Sequence, residues 1–475
     1  MERVGAEAVL DGDREQAIVF LLRIGELIEA NRRLEGRVRV LEERLARSSR
    51  NSSQPPSSDP PGVAKSRPWK ESGRRQGGQP GHPGATRLLA APERVDEILE
   101  HWPGRCRGCG ERFDESAVVC GEPVRHQVAE LPPLAVTISE HRLHVRRCRC
   151  GRLTRAELPA GVPRSAFGPR LEAAVATLCT RQRLSRRLSA ELVSELFGCP
   201  VSVGAIDAII ARVGNALAGP YAELRAALQQ EPVVHADETG WALAGKRRWL
   251  WGGFTATIGV YAVAASRGQR AAKELLGAEP AGIICTDRFA GYNHLAPEQR
   301  QVCWAHLNRD FQAISERRRP ADKRLGRALL RVADTVFAAY DDYRSHGDPQ
   351  QLTRELQPAQ QRLRTLLEPV ARGRREKTAA FAADLLDRWP SLWRFADQPD
   401  QVEPTNNRAE RGLRPAVIKR KLSFGNTSER GLRTTERLLS ADTTCRLQNR
   451  SLFHYLTETT TAASLGIAAP SLLPA

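Results

Sequence analysis

The sequence predicts a multidomain protein in which three small N-terminal modules precede an α/β domain that carries an α-helical insertion. The modules are a coiled-coil helix, a small zinc-binding β module and a helical domain of the helix-turn-helix type. Three observations predict this arrangement: a heptad-like spacing of apolar residues near the N-terminus, two close pairs of cysteines, and apolar β-rich runs that end in aspartate and precede a long helical stretch. The length of 475 residues suits about three domains.

The composition excludes several classes of protein. Hydrophobic residues make up 41% and charged residues 27%, so the chain can build apolar cores and is not disordered throughout. Basic residues exceed acidic ones by 72 − 55 = 17, which favours a polyanionic partner, nucleic acid before membrane. No apolar stretch reaches the about 18 to 20 residues of a membrane span and the N-terminus is not signal-like, so we expect a cytoplasmic protein. Ten cysteines in a reducing compartment, four of them in two close pairs, indicate metal rather than disulfides.

The first element, residues 15–47, is predicted to be a coiled-coil helix. Its seam residues recur in alternating steps of three and four, the a/d repeat of a two-stranded coil. The seam consists of Ile24, Leu27, Asn31, Leu34, Val38, Leu41 and Leu45. Asn31 falls at an a position, where a buried amide favours a parallel dimer in fixed register. Because the seam covers barely three heptads, an amphipathic helix packed on its own chain is the alternative to a homodimer or a higher assembly.

Residues 48–94 are interpreted as a linker. Their composition changes to Ser, Pro, Gly and Arg, as in NSSQPPSSDPP and GRRQGGQPGHPG, which cannot build a core. Six basic residues stand against one acid, Glu71, within residues 61–90. Such a segment, which includes Arg74 and Arg75, suits a DNA phosphate backbone, although a merely solvated linker has the same composition.

Residues 95–162 are predicted to form a small β module that holds a structural zinc ion. Zinc needs four tetrahedral nitrogen or sulfur ligands, and two cysteine knuckles on separate turns supply them. The knuckles are Cys106-x-x-Cys109 and Cys148-x-Cys150, and alternating apolar runs such as AVTISEHRLHVRR between them predict strands. The second knuckle has a one-residue gap, so one of its cysteines has alternatives as the ligand, namely Cys120, His141 and His144. Two reduced cysteine pairs without metal are the other interpretation.

Residues 165–222 are predicted to be helical, with the proportions of a helix-turn-helix. The segment LSAELVSELFG, the turn CPVS and the segment VGAIDAIIARVG follow one another within it. Gly198 suits the C-terminal end of the first helix, and Ser202 suits the N-cap of the second. Any two packed helices have these proportions, so the DNA-binding interpretation depends on the basic charge of the whole chain.

The chemistry is expected in residues 228–440, which a C-terminal tail follows at 441–475. The runs PVVHADETGWAL, RRWLWGGFTAT, IGVYAVAAS and AGIICTDRFAGY predict strands, and an amphipathic stretch at about 312–400 predicts a helical insertion. Asp237 and Asp287 each end an apolar strand, so their carboxylates converge if the two strands are neighbours. Two clustered carboxylates repel, and a hard divalent cation such as Mg²⁺ relieves that repulsion.

A third acid is expected from a helix packed over this sheet. Glu410 is the candidate, because it is the only acid between Asn406 and Lys421, where six residues are basic. A salt bridge of Glu410 with a neighbouring arginine is the alternative. The six cations suit DNA backbone phosphates, so DNA binding should weaken steeply with salt. They are Arg408, Arg411, Arg414, Lys419, Arg420 and Lys421.

Three groups of motifs stand in a fixed order in the second half of the chain: HADETGW, TDRFAGYNHL with CWAHLNRDF, and TNNRAERGLRP with the following RK. In this order they resemble the DDE transposases of the insertion sequence 66 family, and the resemblance extends through most of the chain. It implies an RNase H-like catalytic domain with Asp237, Asp287 and Glu410 as the acidic triad that binds two Mg²⁺ or Mn²⁺ ions. Cys303 and His306 match a Cys-x-x-His feature of the family, although the sequence does not give their chemical role.

The resemblance implies a bacterial transposase that binds the terminal inverted repeats of its insertion sequence and catalyses DNA cleavage and strand transfer. Two metal ions are expected to bridge the scissile phosphate, one activating water or a 3′-hydroxyl and the other stabilising the leaving oxygen, so no covalent protein intermediate is needed. The implied partners are terminal-repeat DNA, target DNA, further copies of this chain, and accessory proteins of the same element. Two alternatives stay open: a DNA-binding regulator with an inactive catalytic domain, and an RNase H-like nuclease without strand transfer.

Overall fold

The computed structural model describes residues 14–45, 48, 50–52, 88–132, 134–373 and 376–474 of the chain. The strands are β1 (Val145–Arg147), β2 (Leu153–Arg155), β3 (Val233–Leu243), β4 (Lys246–Phe254), β5 (Gly259–Ala264), β6 (Ile283–Thr286) and β7 (Arg300–Val302). The N-terminal and central helices are α1 (Arg14–Leu45), α2 (Pro169–Thr180), α3 (Arg186–Phe197), α4 (Val203–Ala216), α5 (Ala218–Leu228), α6 (Gln269–Leu276) and α7 (Trp304–Ser315). The later helices are α8 (Pro320–His346), α9 (Pro349–Ala371), α10 (Glu376–Asp387), α11 (Arg394–Asp397), α12 (Asn407–Ser423), α13 (Glu429–Leu447) and α14 (Leu452–Leu465). None of the helices in the described ranges combines the length and the apolar composition that crossing a membrane requires.

Part of the predicted linker cannot be compared with the structure. Residues 53–87, and with them Arg74 and Arg75, lie outside the described residues. The DNA-contact prediction for these two arginines therefore stays a prediction.

A five-stranded mixed sheet is the centre of the α/β domain, with the order β5-β4-β3-β6-β7. The first three strands form an antiparallel meander, whereas β6 and β7 run parallel to β3. Ala244 and Gly245 make the tight β3–β4 turn with φ values of 48° and 75°, the positive values that a two-residue hairpin turn requires. The sheet thus contains every β-rich run that the sequence predicted for this domain.

The helical block before the sheet shares one core with it. Val175 of α2 and Ile209 of α4 belong to the same buried cluster as Val234 of β3. Both predicted helix ends are confirmed: Gly198 ends α3 at a φ of 59°, and the Ser202 side chain caps the first turn of α4. At the domain boundary expected near residue 222 the secondary structure changes from helices to a sheet. The residues on the two sides of this boundary nevertheless pack into one core.

The segment 441–475, predicted to be a tail, is part of this core. It contains the end of α13 and all of α14, whose Leu452, Tyr455 and Leu456 are buried beside α2. The physical reason is the spacing of these side chains, which gives α14 an apolar face that must be covered. The tail prediction is corrected accordingly.

The predicted insertion at about 312–400 consists of α8, α9, α10 and the short α11. Leu329 of α8 and Leu356 and Leu363 of α9 form a second buried cluster, which also includes Trp304 at the start of α7. The insertion therefore has its own core and packs against the β7 edge of the sheet.

Helix α1 is continuous over 32 residues, as predicted for 15–47. Leu27, Leu34 and Leu41 of its seam are 54% to 65% exposed. An ion pair between Glu42 and Arg318 joins α1 to the insertion. A coiled-coil dimer requires an apolar seam that the rest of the same chain leaves uncovered, and these exposed leucines meet that requirement. The dimer itself stays a prediction.

Residues 88–158 contain little regular structure. β1 and β2 form a short antiparallel hairpin, and an isolated bridge joins Arg105 to Arg112. The strand predicted at AVTISEH is not formed, and Ile138 within it is 87% exposed. A strand is stabilised by a paired neighbour and by an apolar surface to pack on, and the described part of this module provides neither at that place.

Candidate active site

Two aspartates lie next to each other at one edge of the sheet. β3 and β6 are neighbouring parallel strands, and His235 pairs with Cys285 at the last position of their register. Two residues further, the chain reaches Asp237 on β3 and Asp287 just past the end of β6. The sequence predicted that the two carboxylates converge if their strands are neighbours, and β3 and β6 are neighbours.

The two carboxylates are half-buried and close enough for the charge of one to affect the other. Burial raises the pKa of Asp237 well above its usual value, and the negative charges of Glu238 and Asp287 raise it further. Backbone N–H groups offset part of this cost: Glu238 donates to Asp237 Oδ1 at 2.8 Å, and Phe289 donates to Asp287 Oδ1 at 3.0 Å. Such a site favours a bound cation, because a positive charge removes the mutual repulsion.

Asn406 fastens the start of α12 to the strand that carries Asp237. Its Nδ2 donates to the Ala236 carbonyl at 2.7 Å, and its Oδ1 lies 3.1 Å from His235 Nδ1. Its backbone N–H donates to Cys303 Sγ at 3.1 Å, so Cys303 links the start of α7 to α12. Burial, aided by the positive charge of Arg408, lowers the pKa of His235 to about 4, so the imidazole is neutral and donates to Asn406.

Glu410 lies one turn into α12, on the side of the two aspartates. Its Oε1 is 3.7 Å from His306 Nε2 and 3.7 Å from the Arg309 guanidinium. Burial opposes a charge on His306, but the neighbouring Cys303 thiol and the Asp287 carboxylate raise its pKa to about 9. The positive His306 also lowers the pKa of Asp237, so this imidazole connects Glu410 with the aspartate pair.

The three acids therefore face the same region, but they do not lie close enough together to share one metal ion. Among the described residues, no group of three His, Cys, Asp or Glu side chains is close enough to hold a metal ion. Asp237 and Asp287 are the pair whose oxygens suit a divalent cation. Glu410, 37% exposed at its side chain, is held by His306 and Arg309.

Glu238 is a further acid of this region that the sequence analysis did not single out. Its fully buried side chain forms an ion pair with Arg267 at 2.7 Å and accepts a hydrogen bond from Tyr292 Oη at 2.7 Å. Arg267 in turn lies over the Phe289 ring, 3.9 Å from its centroid. Because the Phe289 N–H binds Asp287, the Glu238 carboxylate supports the loop that positions Asp287.

A sequence signal for Glu238 was present. Val234, Ala236 and Glu238 alternate on the most buried face of β3. An acid on such a face needs a charged or hydrogen-bonding partner. The strand pattern therefore shows that Glu238 needs a charged or hydrogen-bonding partner, but it does not show that Arg267 and Tyr292 are the partners.

Two arginines hold the chain around Asp287. Arg288 forms ion pairs with Asp310 of α7 at 3.2 Å and with Asp384 of α10 at 2.8 Å. The buried Arg300 of β7 donates to the Asp287 carbonyl at 2.6 Å, and burial lowers its pKa to about 10. The insertion helices thus fix the end of β6, which gives the insertion a structural part in the site.

The six cations predicted to contact DNA fall into two groups. Arg408 pairs with Glu403 at 3.5 Å, Arg420 donates to Thr239 at 2.9 Å, and burial lowers the pKa of the half-buried Lys419 to about 8. These three are directed into the protein. The exposed group consists of Arg411, Arg414 and Lys421, whose spacing of three and seven residues keeps them on one side of α12.

The outer face of α4, the second helix of the predicted helix-turn-helix, carries few charges. Asp207 lies 3.5 Å from both Arg186 and Arg430, and Arg212 turns to Glu172 at 2.7 Å. DNA binding by this face stays a prediction.

The four knuckle cysteines stay in two separate pairs. Hydrogen bonds from the backbone of Cys109 and Gly108 lower the pKa of Cys106, and one from Cys150 lowers that of Cys148. A lowered pKa favours the thiolate, the form that binds zinc. Within the part of the chain that the structure describes, the two pairs do not form one metal-binding group, so zinc also stays a prediction.

Comparison with known protein families adds independent information. The sequence profile of the transposase IS66 family matches residues 164–434, more than half of the chain, including both aspartates and Glu410. The profile of a family of unknown function, DUF6444, matches residues 13–88, which contain the predicted coil and most of the linker. No curated protein matches the chain.

Proposed function

The chain belongs to the IS66 family of transposases, and from this premise we propose that it cleaves DNA at the terminal inverted repeats of its element and joins the freed 3′-hydroxyl to target DNA. The observation that carries the proposal is the approach of three acids from separate elements to one edge of the sheet. Asp237 comes from β3, Asp287 from the end of β6 and Glu410 from α12. We propose an RNase H-like fold for this domain because three antiparallel strands are followed by two parallel ones.

The donor set fits a divalent metal. Carboxylate oxygens are the ligands that Mg²⁺ and Mn²⁺ prefer. Burial and the neighbouring Glu238 and Asp287 carboxylates raise the pKa of Asp237, and a bound cation would offset both effects by stabilising the ionised form. Asp237 and Asp287 would hold the metal, with Glu410 as the third carboxylate. Two such ions, when bound, supply charge stabilisation at the scissile phosphate and an activated water or 3′-hydroxyl.

The chain itself contributes positioning and charge. Arg288 and Arg300 fix the end of β6, and Glu238 fixes the loop after it, so Asp287 keeps its place while DNA binds. His306 and Arg309 hold Glu410 and add positive charge near the phosphate. The exposed cations of α12 then bind the DNA backbone, a contribution that decreases as salt rises.

Two further modules complete the proposal. The knuckle cysteines Cys106, Cys109, Cys148 and Cys150 would hold one structural zinc ion, and the α1 seam would join two copies of the chain. A dimer suits an enzyme that must bring two DNA ends together.

The decisive experiment separates DNA binding from DNA cleavage. Asp237→Asn, Asp287→Asn and Glu410→Gln are compared with Glu298→Gln, an exposed acid on the loop before β7. The substrate is an end-labelled duplex of the inverted repeats that flank the gene, with Mg²⁺, Mn²⁺ or EDTA. Because metal ions supply several kcal/mol of transition-state stabilisation, each active-site variant should cleave about 1,000-fold more slowly and still shift the duplex on a gel.

The alternative functions give different results. A regulator shifts the duplex and never cuts it, whatever metal is added. A nuclease without strand transfer cuts the duplex but does not join a pre-cleaved 3′ end to a second duplex. Full cleavage by Asp237→Asn would refute the assignment of this residue.

A further inference from the structure

Phe424 is placed where folding alone does not favour a phenylalanine. It follows the last residue of α12, has a φ of 57° and is 82% exposed. The left-handed conformation is unfavourable for a bulky L residue, and an exposed ring gains nothing from burial. Leu422, two residues earlier, is 62% exposed. A strained, exposed aromatic residue beside a second apolar side chain indicates a role outside the fold.

The chain places Phe424 at the far end of α12 from the acids. α12 follows β3 along its length: Asn406 binds Ala236 near its start, Arg420 binds Gly240 further on, and Asn426 binds the β3–β4 turn after its end. The Asn426 N–H and carbonyl both hydrogen-bond to that turn, at 2.9 and 2.8 Å. The Phe424 loop and the β3–β4 turn therefore form one tip.

The lengths of β3 and α12 give the distance from the acids to this tip. Six residues separate Asp237 from Leu243, which is about 20 Å at about 3.3 Å per strand residue. Thirteen residues separate Glu410 from Ser423, which is also about 20 Å at about 1.5 Å per helical residue. DNA rises about 3.4 Å per base pair, so the tip lies about six base pairs from a phosphate bound at the acids.

A row of exposed cations connects the two places, and one of them, Arg247, stacks over the Trp249 ring at 4.6 Å. Arg411, Arg414 and Lys421 are exposed along α12, and Lys246 and Arg247 are exposed at the β3–β4 turn. Over the described ranges of the chain, none of these five forms an ion pair with a carboxylate. A polyanion that starts at the acids is therefore attracted along α12 towards Phe424.

We propose that Phe424 stacks on a base of the bound DNA about six base pairs from the cleaved bond, unstacking the duplex there. The proposal rests on the proposed function, because it needs a DNA end at the three acids. Aromatic side chains stack on bases of any sequence, and apolar side chains that enter a base step open it. Phe424 would thus fix how far the DNA end reaches into the site.

The experiment uses the full chain and a duplex in which 30 base pairs of the terminal repeat lie on one side of the bond to be cleaved and flanking DNA lies on the other, with positions counted into the repeat from that bond. The duplex carries 2-aminopurine, whose fluorescence rises on unstacking, at one of positions 2 to 12 in separate preparations. Binding is measured by anisotropy in EDTA, where the duplex stays uncut. The variants are Phe424→Ala, Phe424→Trp, Lys421→Ala and the control Ile467→Ala, which removes a 62% exposed residue after α14.

The natural chain and Phe424→Trp should show a fluorescence rise confined to about positions 5 to 7. Phe424→Ala should lose this rise and bind about tenfold more weakly, because a stacked base is lost. Lys421→Ala should weaken binding, lower the salt dependence by about one phosphate contact and keep the rise. Ile467→Ala should match the natural chain. Since Phe424 is exposed, its variants fold, and the result reports binding alone.

Two results would overturn the stacking role of Phe424. Only the second of them would also overturn the proposed function. If Phe424→Ala matches Ile467→Ala while the natural chain cuts the duplex once Mg²⁺ is added, Phe424 has no stacking role and the proposed function stands. If the natural chain neither binds nor cuts the duplex, the proposed function and the stacking role fail together.

Discussion

Asn406 is expected to be the residue on which the placement of Glu410 depends most. It is 1% exposed, and its side chain joins the start of α12 to His235 and to the Ala236 carbonyl of β3. In Asn406→Ala both of those groups lose this partner in a buried place. Each buried polar group left unpaired costs about 1 to 3 kcal/mol, so the variant should lose about 2 to 4 kcal/mol of the free energy of unfolding.

The chain supplies a matched control in the next residue. Asn407 is also an asparagine at the start of α12, but it is exposed. Asn407→Ala should therefore change the free energy of unfolding by less than about 0.5 kcal/mol. The assay is urea unfolding followed by tryptophan fluorescence, since Trp304 donates its backbone N–H to Pro404 beside this joint. With a slope of about 3 kcal/mol per molar urea, Asn406→Ala should lower the midpoint by about 1 M relative to Asn407→Ala.

The same variant also has a functional readout. If α12 loosens, Glu410 moves away from the aspartates while the exposed cations of α12 remain, so DNA cleavage should decrease more than DNA affinity. An Asn406→Ala protein that unfolds at the urea concentration of Asn407→Ala would refute the role given to these hydrogen bonds.

Three further predictions concern the packing of α12, the Glu238 ion pair and zinc. Gly412→Ala should destabilise the protein by about 1 to 3 kcal/mol in urea unfolding, because the added Cβ would lie 2.5 Å from the Phe254 ring. Glu238→Ala should cost about 2 kcal/mol, less than a fully buried pair because its arginine partner is 38% exposed, and should slow cleavage. The natural chain should contain about one zinc per chain by elemental analysis, and the double variant Cys106→Ser with Cys109→Ser should contain none.

Each of these has a matched control. Gly219→Ala adds a Cβ in open space, so it should leave stability unchanged or raise it; an equal loss in both glycine variants would contradict the packing argument. Glu274→Ala breaks an exposed pair with Arg270 and should cost less than about 0.5 kcal/mol. Cys199→Ser, outside the knuckles, should keep its zinc. Zinc that persists in the knuckle double variant would remove those ligands from consideration.

Much of the architecture could be predicted because it depends on local patterns. Period-two alternation located the strand that carries Asp237 and the strand that ends before Asp287, but β3 continues to Leu243, so the prediction that Asp237 ends its strand was wrong. Capping chemistry located Gly198 and Ser202 at the helix ends where the structure has them. The resemblance to the transposase family, based on short motifs, is confirmed by the profile match over residues 164–434. The mixed helical and sheet organisation with an N-terminal helix is confirmed as well, whereas the zinc module and the RNase H-like fold stay predictions.

Other features could not be predicted, because they depend on contacts between distant parts of the chain. The alternation of β3 shows that Glu238 is buried, but its partners Arg267 and Tyr292 come from loops 29 and 54 residues away. The composition of α12 shows six cations, but only packing decides that Arg420 turns to the β3 backbone while Lys421 stays exposed.

The sequence alone determined which residues are the candidates for the chemistry of this protein, since carboxylates on apolar strands, paired cysteines and a basic helix are properties of the chain itself. Tertiary structure alone decided how they are held. Asn406 brings α12 to β3, His306 lies between Glu410 and the aspartates, and the 441–475 segment closes the core. The reason is physical: side-chain type and periodicity are local quantities, whereas burial and hydrogen-bond partners are set by how the whole chain folds.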